Sequence, residues 1–156
     1  MKFKSKTPEK HHKMLSIIFI RHGEGTHNTQ KMRSAFDITY EDAPLTELGI
    51  KQAKDLRHIF NNIKIDEIYC SPLYRCLQTA EYSINDYKRE FIIDDRLIER
   101  LGADCVNMRK NKYELQKLTK NKLNIKKVEE EQSTVEYYET NQQMYIRGKA
   151  WFEELL

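Results

Sequence analysis

Two short clusters in this chain carry the residue types of phosphoryl-transfer chemistry. The first is Arg21-His22-Gly23-Glu24, within "FIRHGEGTHN" (residues 19–28); the second is Ser71-Pro72-Leu73-Tyr74-Arg75. Transfer of a phosphoryl group to histidine needs a neutral imidazole nitrogen in line with phosphorus. It also needs cations on the non-bridging oxygens and an acid for the leaving oxygen. His22 has the chemistry of the nucleophile. Arg21 beside it is expected to depress the imidazole's pKa and to hold phosphate oxygens in its fork. Gly23 is expected to let the backbone approach the ligand. Arg75 falls in the first turn of a predicted helix, where amide groups and the helix dipole already favour an anion. Glu24 is expected to orient Arg21 and His22, and His27 to serve loop structure or solvent contact.

The elements that must position these residues follow from pattern. "LSIIFI" (15–20) is a continuous apolar run, which predicts a strand buried on both faces, as in a parallel sheet. Residues 29–44 show no period and end at Pro44, so they read as a loop. "LTELGIKQAKDLRHIFNN" (45–62) predicts a helix with Thr46 as N-cap and Gly49, Ala53, Leu56 and Phe60 on one face. "DEIYC" and "REFIID" predict two further strands. "SPLYRCLQTAEYSI" predicts a helix with Ser71 as N-cap, Pro72 at the first position and Leu73, Cys76, Leu77 and Ala80 as its apolar stripe. A modest helix over Tyr113–Lys120, a charged linker "NKLNIKKVEEE", and a long helix from Thr134 to Leu156 complete the reading. Val135, Tyr138, Tyr145, Phe152 and Leu155 are the expected inward residues of that last helix. Strands alternating with helices predict an α/β fold with a mostly parallel central sheet, whose ligands bind beyond the carboxyl ends of the strands. Both clusters follow a predicted strand, and are expected to face one crevice.

With 156 residues, 39% hydrophobic and 33% charged, the chain has enough material for one core and is too apolar for disorder. The net charge of +3 is mixed rather than clustered, which argues against a nucleic-acid partner or a basic interaction protein. The apolar run Leu15–Ile20 is too short for a membrane span or a signal core. Three cysteines without a C-x-x-C pair (Cys70, Cys76, Cys105) suit a reducing, cytoplasmic setting. His11 and His12, in a lysine-rich tail, read as solvated. Arg109 reads as exposed.

The blocks "IIFIRHGEGTHN", "PLTELGIKQA", "IYCSPLYRCLQTA" and "DDRLIERLG" occur in the order and spacing of the histidine phosphatase superfamily. The chain resembles its phosphoglycerate-mutase-like branch from about Leu15 to Leu156. The stretch "ERLGADCVNMRKNKYELQKL" is similar to a less sharply defined subgroup of phosphatase-like members. The resemblance implies a three-layer sandwich, phosphoglycerate mutase-like and C-terminally incomplete. The basic stretch 1–13 reads as a flexible tail, and the resemblance makes 14–156 a histidine phosphatase-like domain lacking its last strands. The same resemblance implies His22 as the phosphorylated nucleophile and Arg21 and Arg75 as phosphoryl ligands, with Asn28 assisting. Glu99 becomes the proton donor and later the base for water; on its own, a glutamate between Arg96 and Arg100 reads as a surface ion pair.

The implied partner is a small phosphorylated substrate, with no cofactor, metal, nucleic acid or membrane; the sequence sets no oligomeric state. The resemblance also implies a second active-site histidine in a later His-Gly block. The sequence through Leu156 holds no candidate for it, since His58 falls in mid-helix. Three activities follow in order: hydrolysis of a small phosphomonoester through a phosphohistidine; phosphate binding without turnover, in an inactive or split remnant; and phosphoglycerate mutase-type transfer.

Overall fold

Phe91 and Ile93, alternate residues of one strand, are fully buried, and the core gathers around them with Cys70, Leu77, Leu115, Leu123 and Val128. The computed structural model describes residues 15–29, 37–102, 104–132 and 138–156. Its sheet has three parallel strands in the order β1 (Tyr69–Cys70), β2 (Glu90–Asp94) and β3 (Lys122–Lys127). Tyr69 lies opposite Ile92 and Cys70 opposite Ile93, while Phe91 pairs with Leu123; the β2–β3 register shifts between Ile92 and Asp94. The expected α/β fold with a parallel central sheet is therefore present.

Four helices surround this sheet among the described residues: α1 (Glu47–Asp55), α2 (Arg57–Phe60), α3 (Tyr74–Ile84) and α4 (Asn141–Leu155). Thr46 caps α1 as expected, its Oγ1 accepting from the Gly49 amide at 3.0 Å. Gly49 and Ala53 are its buried residues. The single helix expected over residues 45–62 is divided at Leu56 into α1 and α2. Both pack on α3, whose Leu77 is buried in the core. Helix α3 ends where Asn85 takes a left-handed conformation at φ 52°, which asparagine tolerates better than most residues.

Several expectations are corrected. "LSIIFI" joins no ladder among the described residues, and Ile18 and Phe19 are 59% and 72% exposed. Burial on both faces requires paired neighbours on both sides, and the described sheet stops at β1. The segment "NKLNIKK", expected as linker, forms β3. The helix expected over 113–120 shrinks to a short turn of 3₁₀ helix, Leu115–Leu118. Helix α4 begins at Asn141, capped by Thr140, and turns Trp151 inward. Tyr138, Tyr145 and Phe152, expected inside, are exposed, and Leu155 is half-buried. The reason is polar: Arg147, one turn before Trp151, donates to the Arg96 and Ile98 carbonyls and pairs with Glu139, occupying the inner face with a charge. Thr134, Val135 and the tail 1–13 lie outside the described residues. No described helix is long and apolar enough to cross a membrane.

Candidate active site

The loop carrying His22 is suspended between two helices. The Gly23 amide donates to Thr79 Oγ1 at 3.1 Å, and Thr79 Oγ1 donates at 2.8 Å to the carbonyl of Arg75, one turn earlier in α3. On the other side Gly23 faces Gly49 of α1. A Cβ on Gly23 would stand 2.5 Å from the Gly49 carbonyl oxygen, and one on Gly49 would stand 2.1 Å from that of Glu24. Gly23 thus serves the close approach of the loop to a helix. The Thr46 amide donates to the Glu24 carbonyl at 2.9 Å, and the Thr26 amide to that of Pro44 at 2.8 Å, locking the loop to the residues before α1.

His22 Nδ1 lies 2.7 Å from the Gly23 carbonyl oxygen. A carbonyl only accepts, so the ring proton sits on Nδ1 and Nε2 carries the lone pair. Burial lowers the pKa of His22 below the ordinary 6.5, and the charges of Arg75 and, more weakly, Arg21 push the same way; the Gly23 bond and Glu99 oppose them. The expected depression is present, with burial as its main cause and Arg75 ahead of Arg21.

Arg75 is fully buried. One terminal nitrogen donates to the Val106 carbonyl at 2.8 Å; the other donates to Asn107 Oδ1 at 2.8 Å and to Glu99 Oε2 at 3.2 Å. Its Nε is buried without a partner. Leaving a charged group's donor buried and unpaired costs about 1–3 kcal/mol or more. Glu99 comes to the site through Arg75, with its carboxylate largely exposed. Arg21 is exposed, and its charge reaches His22 and His27.

The remaining expectations resolve individually. Asn28 spends its Oδ1 on the Gly25 amide at 2.9 Å, closing the loop. Glu24 Oε1 accepts from Thr46 Oγ1 at 2.7 Å. Arg109 is buried, not exposed, and forks onto Asp95 with two 2.8 Å bonds. Burial raises the thiol pKa of Cys70, and that of Cys76 to about 11, which leaves both poor nucleophiles. His27 comes to rest beside His22, with ring centroids 5.8 Å apart, which sequence reasoning missed.

Sequence reasoning also missed Asp42 and Asn107. Ser71 was the expected cap of α3, but the helix begins later, at Tyr74 with Leu73 as N-cap, and the capping bond comes from 32 residues upstream. The Tyr74 amide donates to Asp42 Oδ1 at 2.7 Å. No local spacing marks such a partner.

A guanidinium deep in the fold, an unprotonated imidazole nitrogen beside it and a carboxylate on the same guanidinium match the charge distribution of in-line phosphoryl transfer. The comparison with known families agrees in class: residues 17–156 match the histidine phosphatase superfamily (branch 1), and the chain belongs to it. It is 30% identical over 146 residues to the fructose-2,6-bisphosphatase TIGAR of Xenopus tropicalis, covering 90% of this chain and 49% of the relative. It is 34% identical over 86 residues to a 2,3-bisphosphoglycerate-dependent phosphoglycerate mutase of Thermoplasma acidophilum, covering 55% of this chain and 42% of the relative. The chain thus spans less than half the length of either. Among solved structures, a putative alpha-ribazole-5'-P phosphatase of Escherichia coli superposes with a TM-score of 0.58 at 22% identity, covering 87% of this chain and 64% of that one. The ecdysone phosphate phosphatase of Bombix mori gives 0.59 at 20% identity, covering 86% and 64%. These two likenesses establish the fold.

Proposed function

We propose that the protein transfers a phosphoryl group from a small phosphomonoester to His22 and then to water. The observation that supports this most directly is the bare Nε2 of His22 beside a buried Arg75 whose Nε has no partner. Nε2 attacks phosphorus, the P–O bond to the leaving group breaks, and Glu99 gives its proton to that oxygen. Water then attacks the phosphohistidine, Glu99 takes its proton, the P–N bond breaks and inorganic phosphate departs. Arg75 and Arg21 hold the non-bridging oxygens, so the cations of the transition state are guanidinium groups of the chain itself. Asn28 presents its amide nitrogen at the rim. A cytoplasmic setting fits the cysteine usage.

Labelled phosphate supplied as an aryl phosphate, followed by denaturing quench, tests this reading. The expected product is an acid-labile, alkali-stable phosphohistidine in the parent and none in His22→Ala. Equal hydrolysis by the two proteins would sink it. Return of the phosphoryl group to a second substrate oxygen is the second reading, favoured by the similarity to the Thermoplasma mutase; product analysis with a phosphorylated hydroxy acid separates the two.

A further inference from the structure

His27 lies beside His22 with one ring nitrogen buried and unpartnered. Its ring is tilted 51° to that of His22 at a centroid separation of 5.8 Å. It is held there by backbone. The Asn28 amide donates to the Gly25 carbonyl at 2.9 Å, the Gly25 amide to Asn28 Oδ1 at 2.9 Å, and the Thr26 amide to the Pro44 carbonyl at 2.8 Å. The ring folds back over Gly25 so tightly that a Cβ there would stand 2.5 Å from Cε1 and 2.6 Å from Nδ1. Nδ1 is buried and has no hydrogen-bond partner.

That arrangement fixes the ring's chemistry. Burial first, then the charges of Arg75 and His22, hold its pKa down at about 4, so the ring is neutral wherever His22 is a nucleophile. A neutral imidazole carries one N–H. A hydrogen left on the buried Nδ1 would face no acceptor, whereas a bare lone pair there is the lesser loss, so the hydrogen belongs on Nε2. Phosphoryl oxygens only accept, and an N–H donor is the one form of this ring that binds them without adding a proton.

Resting on the function proposed above, we propose that His27 donates Nε2–H to a non-bridging oxygen of the phosphoryl group held between His22 and Arg75. It supplies a neutral hydrogen bond where Arg21 and Arg75 supply charge. Gly25 is then a positioning residue, since any side chain at that place displaces the His27 ring.

Long-range 1H–15N spectra of the five imidazoles in the full chain, recorded as inorganic phosphate is titrated in at pH 7.5, test this directly. The expected result is an Nε2–H tautomer for His27 and an Nδ1–H tautomer for His22, with both rings shifting on phosphate addition. His27→Phe, which keeps a ring and removes the donor, is expected to weaken phosphate binding about 10- to 100-fold, the effect of one hydrogen bond to a charged group. His27→Gln, with an amide N–H of similar reach, is expected to restore most of it. Normal phosphate binding by the folded Phe variant overturns the role of His27 while leaving the phosphate site intact. A Gln variant as weak as Phe overturns it too, since the ring would then act by shape. Absence of any shift at His22 in the parent protein refutes the phosphate site itself, and the proposal with it.

Discussion

Asp42 is the group whose removal tests the electrostatics of this fold most sharply. It is 2% exposed, it sits at φ 45°, and its Oδ1 takes the Tyr74 amide at the start of α3, while Oδ2 is buried without a partner. Burial pushes its pKa from 3.8 to about 6, against the pull of the Tyr74 and Lys110 amides and the charge of Arg75. The sign follows from where the proton resides. Between pH 4 and pH 6 the unfolded chain has released it and the folded chain has kept it, so raising the pH through that window favours the unfolded state. At about 1.4 kcal/mol per pH unit of separation, the whole effect is about 3 kcal/mol lost by pH 7.5, of which about 2.5 kcal/mol is lost above pH 4.

Asp42→Asn isolates that quantity. Asparagine keeps an Oδ1 acceptor for Tyr74 and tolerates positive φ equally well, but it never ionises. Its Nδ2 replaces the unpartnered oxygen with an unpartnered donor, a pH-independent penalty of about 1–3 kcal/mol. The informative number is therefore the change with pH in the stability difference between variant and parent. Urea unfolding followed by fluorescence of the single tryptophan, Trp151, at pH 4.0 and pH 7.5 measures it. The variant is expected to gain about 2.5 kcal/mol on the parent between those two conditions, with unchanged m-values. A difference constant to about 0.5 kcal/mol would show that the folded carboxyl ionises normally, and that the amides and Arg75 outweigh burial.

Other perturbations have equally definite signs. Gly49→Ala forces a Cβ to within 2.1 Å of the Glu24 carbonyl oxygen, so it is expected to cost about 1–3 kcal/mol in urea unfolding and to weaken phosphate binding by moving the His22 loop. Gly148→Ala, inside α4 with nothing within 4 Å of the added carbon, is expected to stabilise by about 0.5–1 kcal/mol. Glu139, buried against Arg147 with bonds of 2.8 and 2.6 Å, has its pKa lowered mainly by that pairing, so its contribution is present above pH 4.5 and is lost as the pH falls through its folded value. Glu139→Gln is expected to cost about 3 kcal/mol at pH 7 and progressively less in acid, the opposite slope to Asp42.

What the sequence made legible was whatever a short window carries. Thr46 three residues before Gly49 spells an N-cap, "REFIID" spells a short buried strand, and Leu73 and Leu77 lie one turn apart on the core side of α3. Strand β3 escaped because lysines at 122, 126 and 127 hide the alternation of Leu123 and Ile125. Lysine is the residue that an edge strand uses to discourage further pairing, so the feature that disguised the strand also suits its place at the end of the sheet. In α4, apolar identity misled because the inner face holds Arg147 as well as Trp151, and a guanidinium that finds carbonyls and a carboxylate is as good an inward residue as leucine.

The same reasoning explains why the surroundings of the site were less legible than its chemical groups. His22 and Arg75 stand out because the proposed phosphoryl transfer calls for those residue types. Their supports come from far along the chain: Gly49 against Gly23, Asp42 under Tyr74, Val106 and Asn107 around Arg75. A fully buried guanidinium must be surrounded by acceptors, since each unpaired donor is costly. Had residues 105–107 continued as an α-helix, the Val106 carbonyl would bond its own helix. The single 3₁₀ turn at Cys105–Asn107 leaves that oxygen, and the Asn107 side chain, available to Arg75. The irregular backbone after Glu99, which has no sequence period to read, is therefore part of how the fold holds its central cation.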